Sequence, residues 1–381
     1  EDVANFSVRN NGINGSSYWG FGQGWVEDVV VGGRYHNGNA ALYSGYPAQK
    51  AIALGGGEDA TGHVFNSPGR YLDVGFRDIG TRTIPTDITK NAIKNPFTNT
   101  KWPQTEGYGL FSSKLMQHPN YSNIFYLGLD SILWKTENKG TSYIPLNKFG
   151  GKVYRFDISR SDPSIIYACA SNNIYKTNDG GVSWSILSLP SGVFYSYNNA
   201  DIAVDANNPN IVWFSQGNGA FGNKVFKSID GGINWNNYGG DILNNEKISF
   251  IVPQAGSDGG VYAFKQSYPG KVYYRDNTLA DWVDFSNGIP KNMMPRQGGQ
   301  IFYGKDKLRI AGNRGVYESP LYQPSLPIAN PMTNSKEYYC TRDTVYFGDY
   351  SVLNYSGAKF QWQFPGATYV SSTTTREPKV L

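Results

Sequence analysis

Short apolar runs, rich in Val, Ile, Tyr and Phe, recur along the chain and are cut by Gly, Asn, Asp and Pro. VYRFDIS (153–159), ADIAVD (200–205) and KISFIV (247–252) each open a stretch of this kind. The first two are followed by a Pro-containing turn that enters a second apolar run: DPSIIY at 162–167 and NPNIVW at 208–213, with HPNYSNIFY at 118–126 as an earlier counterpart. A third short run then follows, ILWKT, NIYKT or KVFKS. β-Branched and aromatic residues bounded by turn formers predict strands, so each stretch reads as three or four short strands. The first third shows similar runs in VEDVVVGG, AALYSG, KAIALGGG and RYLDVGF. Near the end, DTVYFGDYS and AKFQWQF alternate with period two, the pattern of half-buried strands.

The units end in a repeated turn. KTNDGGVSW (176–184) aligns with KSIDGGINW (227–235), pairing Thr177 with Ser228, Asp179 with Asp230, Gly181 with Gly232 and Trp184 with Trp235. KTENKGTSY (135–143) is a looser copy with Thr136, Asn138, Gly140 and Tyr143. YRDNTLADW (274–282) keeps Asn277 and Trp282 in the Asp and Trp places, and ESP at 318–320 starts a copy that is cut short. The steps between copies are 41, 51, 47 and 44 residues. Units of this size cannot bury their faces alone and must stack, and the β-propeller is the architecture of four-stranded repeats with this period.

These boxes resemble the Asp-box (BNR) repeat of sialidases, xyloglucan-hydrolysing propellers and sortilin-type receptors. The resemblance implies an all-β Asp-box β-propeller of about six or seven blades, complete or not within this chain. The propeller is expected over 1–322, with 105–322 as box-bearing blades. Residues 1–104 are expected as divergent blades or the tail of a preceding propeller. Turn chemistry accounts for each box residue: Gly accepts positive φ, and the Asp and Thr or Ser side chains can hold backbone N–H groups. The resemblance places such turns on the rim, away from the central funnel where substrates bind.

Four prolines in SPLYQPSLPIANP (319–331) mark a change of texture, so a linker is expected over 323–335. Beyond it, 336–381 resembles a partial PKD-type immunoglobulin-like sandwich on Val345, Phe347, Asp349, Ser351, Trp362 and Phe364, with Pro365-Gly366 in place of the usual Gly-Asp. That variant resembles large secreted Bacteroidota proteins that use type IX secretion. The last strands of such a sandwich are not in the sequence, so the chain reads as an excerpt of a longer multidomain protein.

Composition narrows the function classes. Net charge is +4 with no basic run, which gives no nucleic-acid footprint. No apolar run reaches the roughly 18 residues of a membrane helix. The two cysteines, Cys169 and Cys340, form neither a disulfide framework nor a zinc pattern.

Candidate chemistry is sparse. Asp78 in FRDIG (76–80) resembles the segment carrying a catalytic Asp in xyloglucan-type propellers, although a turn Asp has the same appearance. His36, Glu58, Asp59 and His63 are mixed metal-ligand types among glycines, in no specific ligand spacing. Ca²⁺ at Asp179 or Asp230 is the other metal expectation, and no motif requires a cofactor. Arg155, Arg160 and Arg309 are not marked as a sialidase clamp, and solvated or ion-paired roles are expected for them. The expected function is a non-catalytic, structural or adhesive module of a secreted or cell-surface protein. Its partners would be other domains of the same chain, an extracellular glycan or a surface protein. The alternative is a polysaccharide-active glycoside hydrolase on a propeller scaffold.

Overall fold

Every residue of Ile166–Ala170 is buried, which is why this run shows no alternation. Phe125–Leu129, Ala200–Val204 and Val212–Gln216 are buried throughout as well. Strands hidden on both faces need a sheet packed on each side. The structure is a computed structural model and describes residues 4–9, 17–34, 37–48, 50–56, 62–66, 73–76, 80–90, 93–94, 114–193, 200–217, 221–337 and 343–381.

These residues form seven four-stranded antiparallel sheets. Six are built from consecutive strands, within 22–55, 63–94, 115–148, 153–187, 200–237 and 248–284. The seventh takes Pro295–Phe302, Lys307–Gly312 and Gly315–Pro320, and its outer strand is Ser7–Val8 from the start of the chain. Ser7 pairs with Glu318 and Val8 with Tyr317. The first third therefore supplies two box-free sheets and the strand that completes the last one.

Seven hydrophobic clusters fill the junctions between successive sheets. Val29, Val31, Val64 and Val74 join the first sheet to the second. Phe65, Leu115 and Phe125 join the second to the third. Phe156 and Leu133 lie between the third and fourth, and Cys169 and Phe214 between the fourth and fifth. Trp213 and Val261 follow, then Phe264 and Ile310. Val30, Leu42, Ala311 and Val316 close the last sheet onto the first. The sheets thus go round in a ring, a β-propeller, with their first strands, or for the last sheet Pro295–Phe302, at the centre.

The end of the Pro-rich stretch enters a sheet. Pro331–Thr333 pairs with Val345–Asp349, which also pairs with Lys379–Val380 to make a separate three-stranded sheet. Ile328 bridges Val352, and Thr333 bridges Tyr121 of the ring. The C-terminal part is thereby laid against the propeller.

Candidate functional site

The box turns are built first by a hydroxyl. Thr136, Thr177 and Ser228 end the third strand of their sheets and are fully buried. The Thr177 hydroxyl donates to Asp179 Oδ1 at 2.6 Å and accepts the Gly181 N–H at 3.0 Å. Asp179 in turn accepts the Ser183 N–H at 2.9 Å and the Ser183 hydroxyl at 2.5 Å. Ser228, Asp230, Gly232 and Asn234 repeat this web, as do Thr136, Asn138, Gly140 and Ser142. Gly180 and Gly181 have φ of 72° and 101°; the looser copy meets the first of these with Lys139 at 55°. Each box also leans on the Pro turn of its own sheet. Lys139, Gly180 and Gly231 donate their N–H groups to the carbonyls of Asn123, Ser164 and Asn210 at 2.8–2.9 Å. This contact explains why Pro turn and box recur together in the sequence.

The box aromatics staple neighbouring sheets. Trp184 meets Phe149 edge-on at 5.3 Å, and Phe149 belongs to the preceding unit. Trp235 Nε1 donates to the Ser188 carbonyl, and Trp282 Nε1 to the Tyr238 carbonyl. Tyr143 packs on Phe125 of its own sheet. Trp282 therefore keeps its place, but Asn277 does not take the Asp role. Its amide donates to Asp258 Oδ1, while Asp276 accepts the Thr278 N–H and hydroxyl in a smaller turn. The sequence alignment there is off because no buried hydroxyl stands at Arg275 to build the web.

The Ser183 and Thr177 donors hold the Asp179 carboxyl well below the usual range, and Asn234 with Ser228 lowers Asp230 to about 2. A carboxylate so held is a poor proton donor near neutrality. Thr177→Val is expected to cost roughly 1–3 kcal/mol, since it leaves the buried Gly181 N–H without its acceptor. Urea denaturation with an unchanged slope would read this as a lower midpoint.

The other candidates divide by position. His36, Glu58, Asp59 and Asp78 lie outside the described residues, as does Cys340. His63 opens the inner strand of the second sheet and faces the centre of the ring. Burial holds its imidazole at about 4, so it is neutral at pH 7. Among the described residues no group of three or more His, Cys, Asp or Glu side chains comes together. Arg309 is fully buried in an ion-pair cluster with Asp28 and Glu318, away from any clamp.

The centre of the ring is a cavity of about 290 Å³ reached by the inner strands of all seven sheets. Two ion pairs line it. Asp157 lies 3.7 Å from Lys114, and its two oxygens accept the N–H groups of Ile158 at 3.1 Å and Val204 at 2.9 Å. Asp201 lies 3.8 Å from Arg155 and accepts the N–H groups of Ile202 and Ile251, each at 3.1 Å. Each carboxylate thus rivets its inner strand to the next one. Burial raises the Asp201 carboxyl, against the lowering pull of Arg155 and Lys114. Across the cavity the lining is neutral, with Gln23, His63 and Gln300.

One mouth is closed by the C-terminal part. Residues that follow the inner strands, Trp25, Arg160 and Tyr303 among them, converge there on Tyr350. The Arg160 guanidinium lies 4.5 Å from the rings of both Trp25 and Tyr350 and donates to the Tyr350 carbonyl at 2.6 Å. Trp25 Nε1 donates to the Ser351 carbonyl at 2.6 Å, and Asn66 Nδ2 to the Asp349 carbonyl at 2.8 Å. The sequence marks Asp349 and Ser351 within a strand-like pattern, but it carries no sign that Tyr350 between them reaches the cavity. Lys114, at the start of its inner strand, leaves 46% of its side chain exposed at the other end.

No family model matches the sequence, and no curated protein matches it either. Solved structures do share the shape. A YCF48 structure with a bound D1 peptide is 13% identical, with a TM-score of 0.55 over 84% of this chain and 96% of its own. YCF48 from Cyanidioschyzon merolae is 13% identical, with a TM-score of 0.57 over 83% of this chain and 98% of that one. A GH74 enzyme from Niastella koreensis is 17% identical over 72% of this chain, which spans 45% of that enzyme, with a TM-score of 0.48. The first two likenesses establish the fold: this chain is a β-propeller.

Proposed function

We propose that the chain is a non-catalytic, glycan-binding module of a larger secreted or cell-surface protein, with the central cavity as its working site. The observation that carries this reading is the state of the two cavity carboxylates. Asp157 and Asp201 are each held by two backbone N–H groups and a cation. A glycosidase needs one carboxyl free to give a proton and another free to attack or to activate water. The boxes are read as Asp-boxes, and the C-terminal part, with Phe347 in its sheet and Trp362 and Phe364 in strandless backbone packed beside it, as part of a PKD-type domain. The packing of those three aromatics, Trp362 stacked on Phe364 and both rings set at an angle to Phe347, supports the latter. Placement outside the cell, by the type IX route, follows from that resemblance.

A hydrolase is the second reading, and one observation favours it: burial raises the Asp201 carboxyl, the direction a general acid requires. Incubation of purified protein with a panel of polysaccharides distinguishes the two. The binding module retains polysaccharide and releases no reducing ends. Release that disappears in Asp201→Asn would overturn the proposal.

A further inference from the structure

We propose that the cavity is a blind pocket for the neutral, hydroxyl-rich end group of a glycan, a single terminal sugar ring. This rests on the reading of the chain as a glycan-binding module. Three observations specify the ligand. The first is shape: Tyr350 closes one mouth, so a polymer cannot thread through and only a chain end or a small molecule can enter. A volume of about 290 Å³ stands at the low end of the roughly 300–1,000 Å³ of ligand pockets, which suits one ring.

The second is charge. Lys114 faces Asp157 and Arg155 faces Asp201, while Arg160, the third cation of the lining, is taken up by the Tyr350 carbonyl and the Trp25 and Tyr350 rings. A charged ligand would lose its hydration and find no free counter-ion, whereas a neutral one avoids that cost.

The third is the pattern of hydrogen-bond capacity. Gln23 is about nine-tenths buried, and its Oε1 accepts no hydrogen bond from the described residues. His63 Nε2 is likewise buried and takes part in no hydrogen bond of good geometry, with the Gln117 side chain as the imidazole's polar neighbour. The two side chains come from adjacent inner strands that approach closely: a Cβ on Gly22 would stand 2.2 Å from the Gly62 carbonyl oxygen and 2.8 Å from the His63 N–H nitrogen. Glycine at 22 allows this approach, and both Gln23 and His63 line the cavity. A buried amide oxygen calls for a donor and a neutral imidazole nitrogen gives or takes one hydrogen bond, and vicinal hydroxyls meet both from one face of a ring. Trp25 and Tyr303, 4.8 Å apart, give the cavity an apolar surface for the ring's C–H face.

The test uses the full chain, with glucose, galactose, mannose and N-acetylglucosamine as probes, titrated by ligand-observed NMR and calorimetry. Binding of at least one probe is expected, weakened 10-fold or more by Gln23→Met and by His63→Phe in variants whose thermal midpoints show that they fold. Polysaccharide retention that survives both substitutions, with no monosaccharide bound, would overturn the pocket and leave the glycan-binding reading standing. Failure to bind both the monosaccharides and the polysaccharide panel would overturn the two together.

Discussion

Asp28→Ala is expected to destabilise the protein by about 3–5 kcal/mol, because it strips the carboxylate from a buried charge cluster and strands the cations around it. Asp28 stands at the entrance of Val29–Arg34 in the first sheet. It accepts from Arg309 at 2.6 Å, Arg9 at 2.7 Å and Lys305 at 2.9 Å. Arg309 belongs to the last sheet and Arg9 follows the N-terminal strand, so the cluster sits where the ring is closed. Arg309 also binds Glu318 at 2.9 Å, which leaves it partly paired in the variant. Burial alone would raise the Asp28 carboxyl, but Arg309 and Arg9, with the Lys305 hydrogen bond, outweigh it and hold it at about 2 against an ordinary 3.8. The folded value is the lower one, so the contribution is fully present above about pH 4 and is lost as pH falls through 2. It amounts to about 2 kcal/mol. Denaturation midpoints measured between pH 2 and 5 should therefore fall more steeply in the wild type than in Asp28→Asn. Parallel profiles would remove Asp28 from the account of closure.

Arg160→Ala is expected to release the C-terminal part from the ring. The guanidinium stacks on two aromatic rings and makes a charge-assisted bond to the Tyr350 carbonyl, together worth roughly 3 kcal/mol. Amide hydrogen exchange across 345–355 should then rise about 100-fold, with little change in the inner strands. Arg160→Lys keeps the charge but loses the planar stack, so an intermediate effect is expected. Unaltered exchange in Arg160→Ala would mean that the remaining contacts, among them Trp25 to Ser351, Asn66 to Asp349 and Asn354 to Asp306, hold the C-terminal part by themselves.

Much of the ring was legible because its determinants are local. The box hydroxyl, the acid two residues on and the glycine two further all act within one turn, so the pattern repeats visibly in KTNDGGVSW and KSIDGGINW. Closure was not legible. The strand that completes the last sheet is two exposed residues, Ser7–Val8, and its partners stand about 310 positions away. Asp28 and Arg309 are 281 positions apart, and neither belongs to a local pattern. Asn277 was misplaced because Trp282 kept its spacing while the hydroxyl that organises the turn had gone. The cavity was foreseen only as a place. Its residues, Gln23, Asp157 and Asp201, sit in ordinary strands, and only the ring brings their side chains together. His63, a metal-ligand type in the sequence, lines the cavity.

The central claim is that the repeated turns build the scaffold while the cavity does the binding. Thr177→Val and Gln23→Met, compared side by side for urea midpoint and for monosaccharide affinity, test it most directly. The account predicts a lower midpoint with unchanged affinity for Thr177→Val, and an affinity loss of 10-fold or more with a near-normal midpoint for Gln23→Met. The reverse pattern, binding lost with the box hydroxyl and kept without the Gln23 amide, would contradict it.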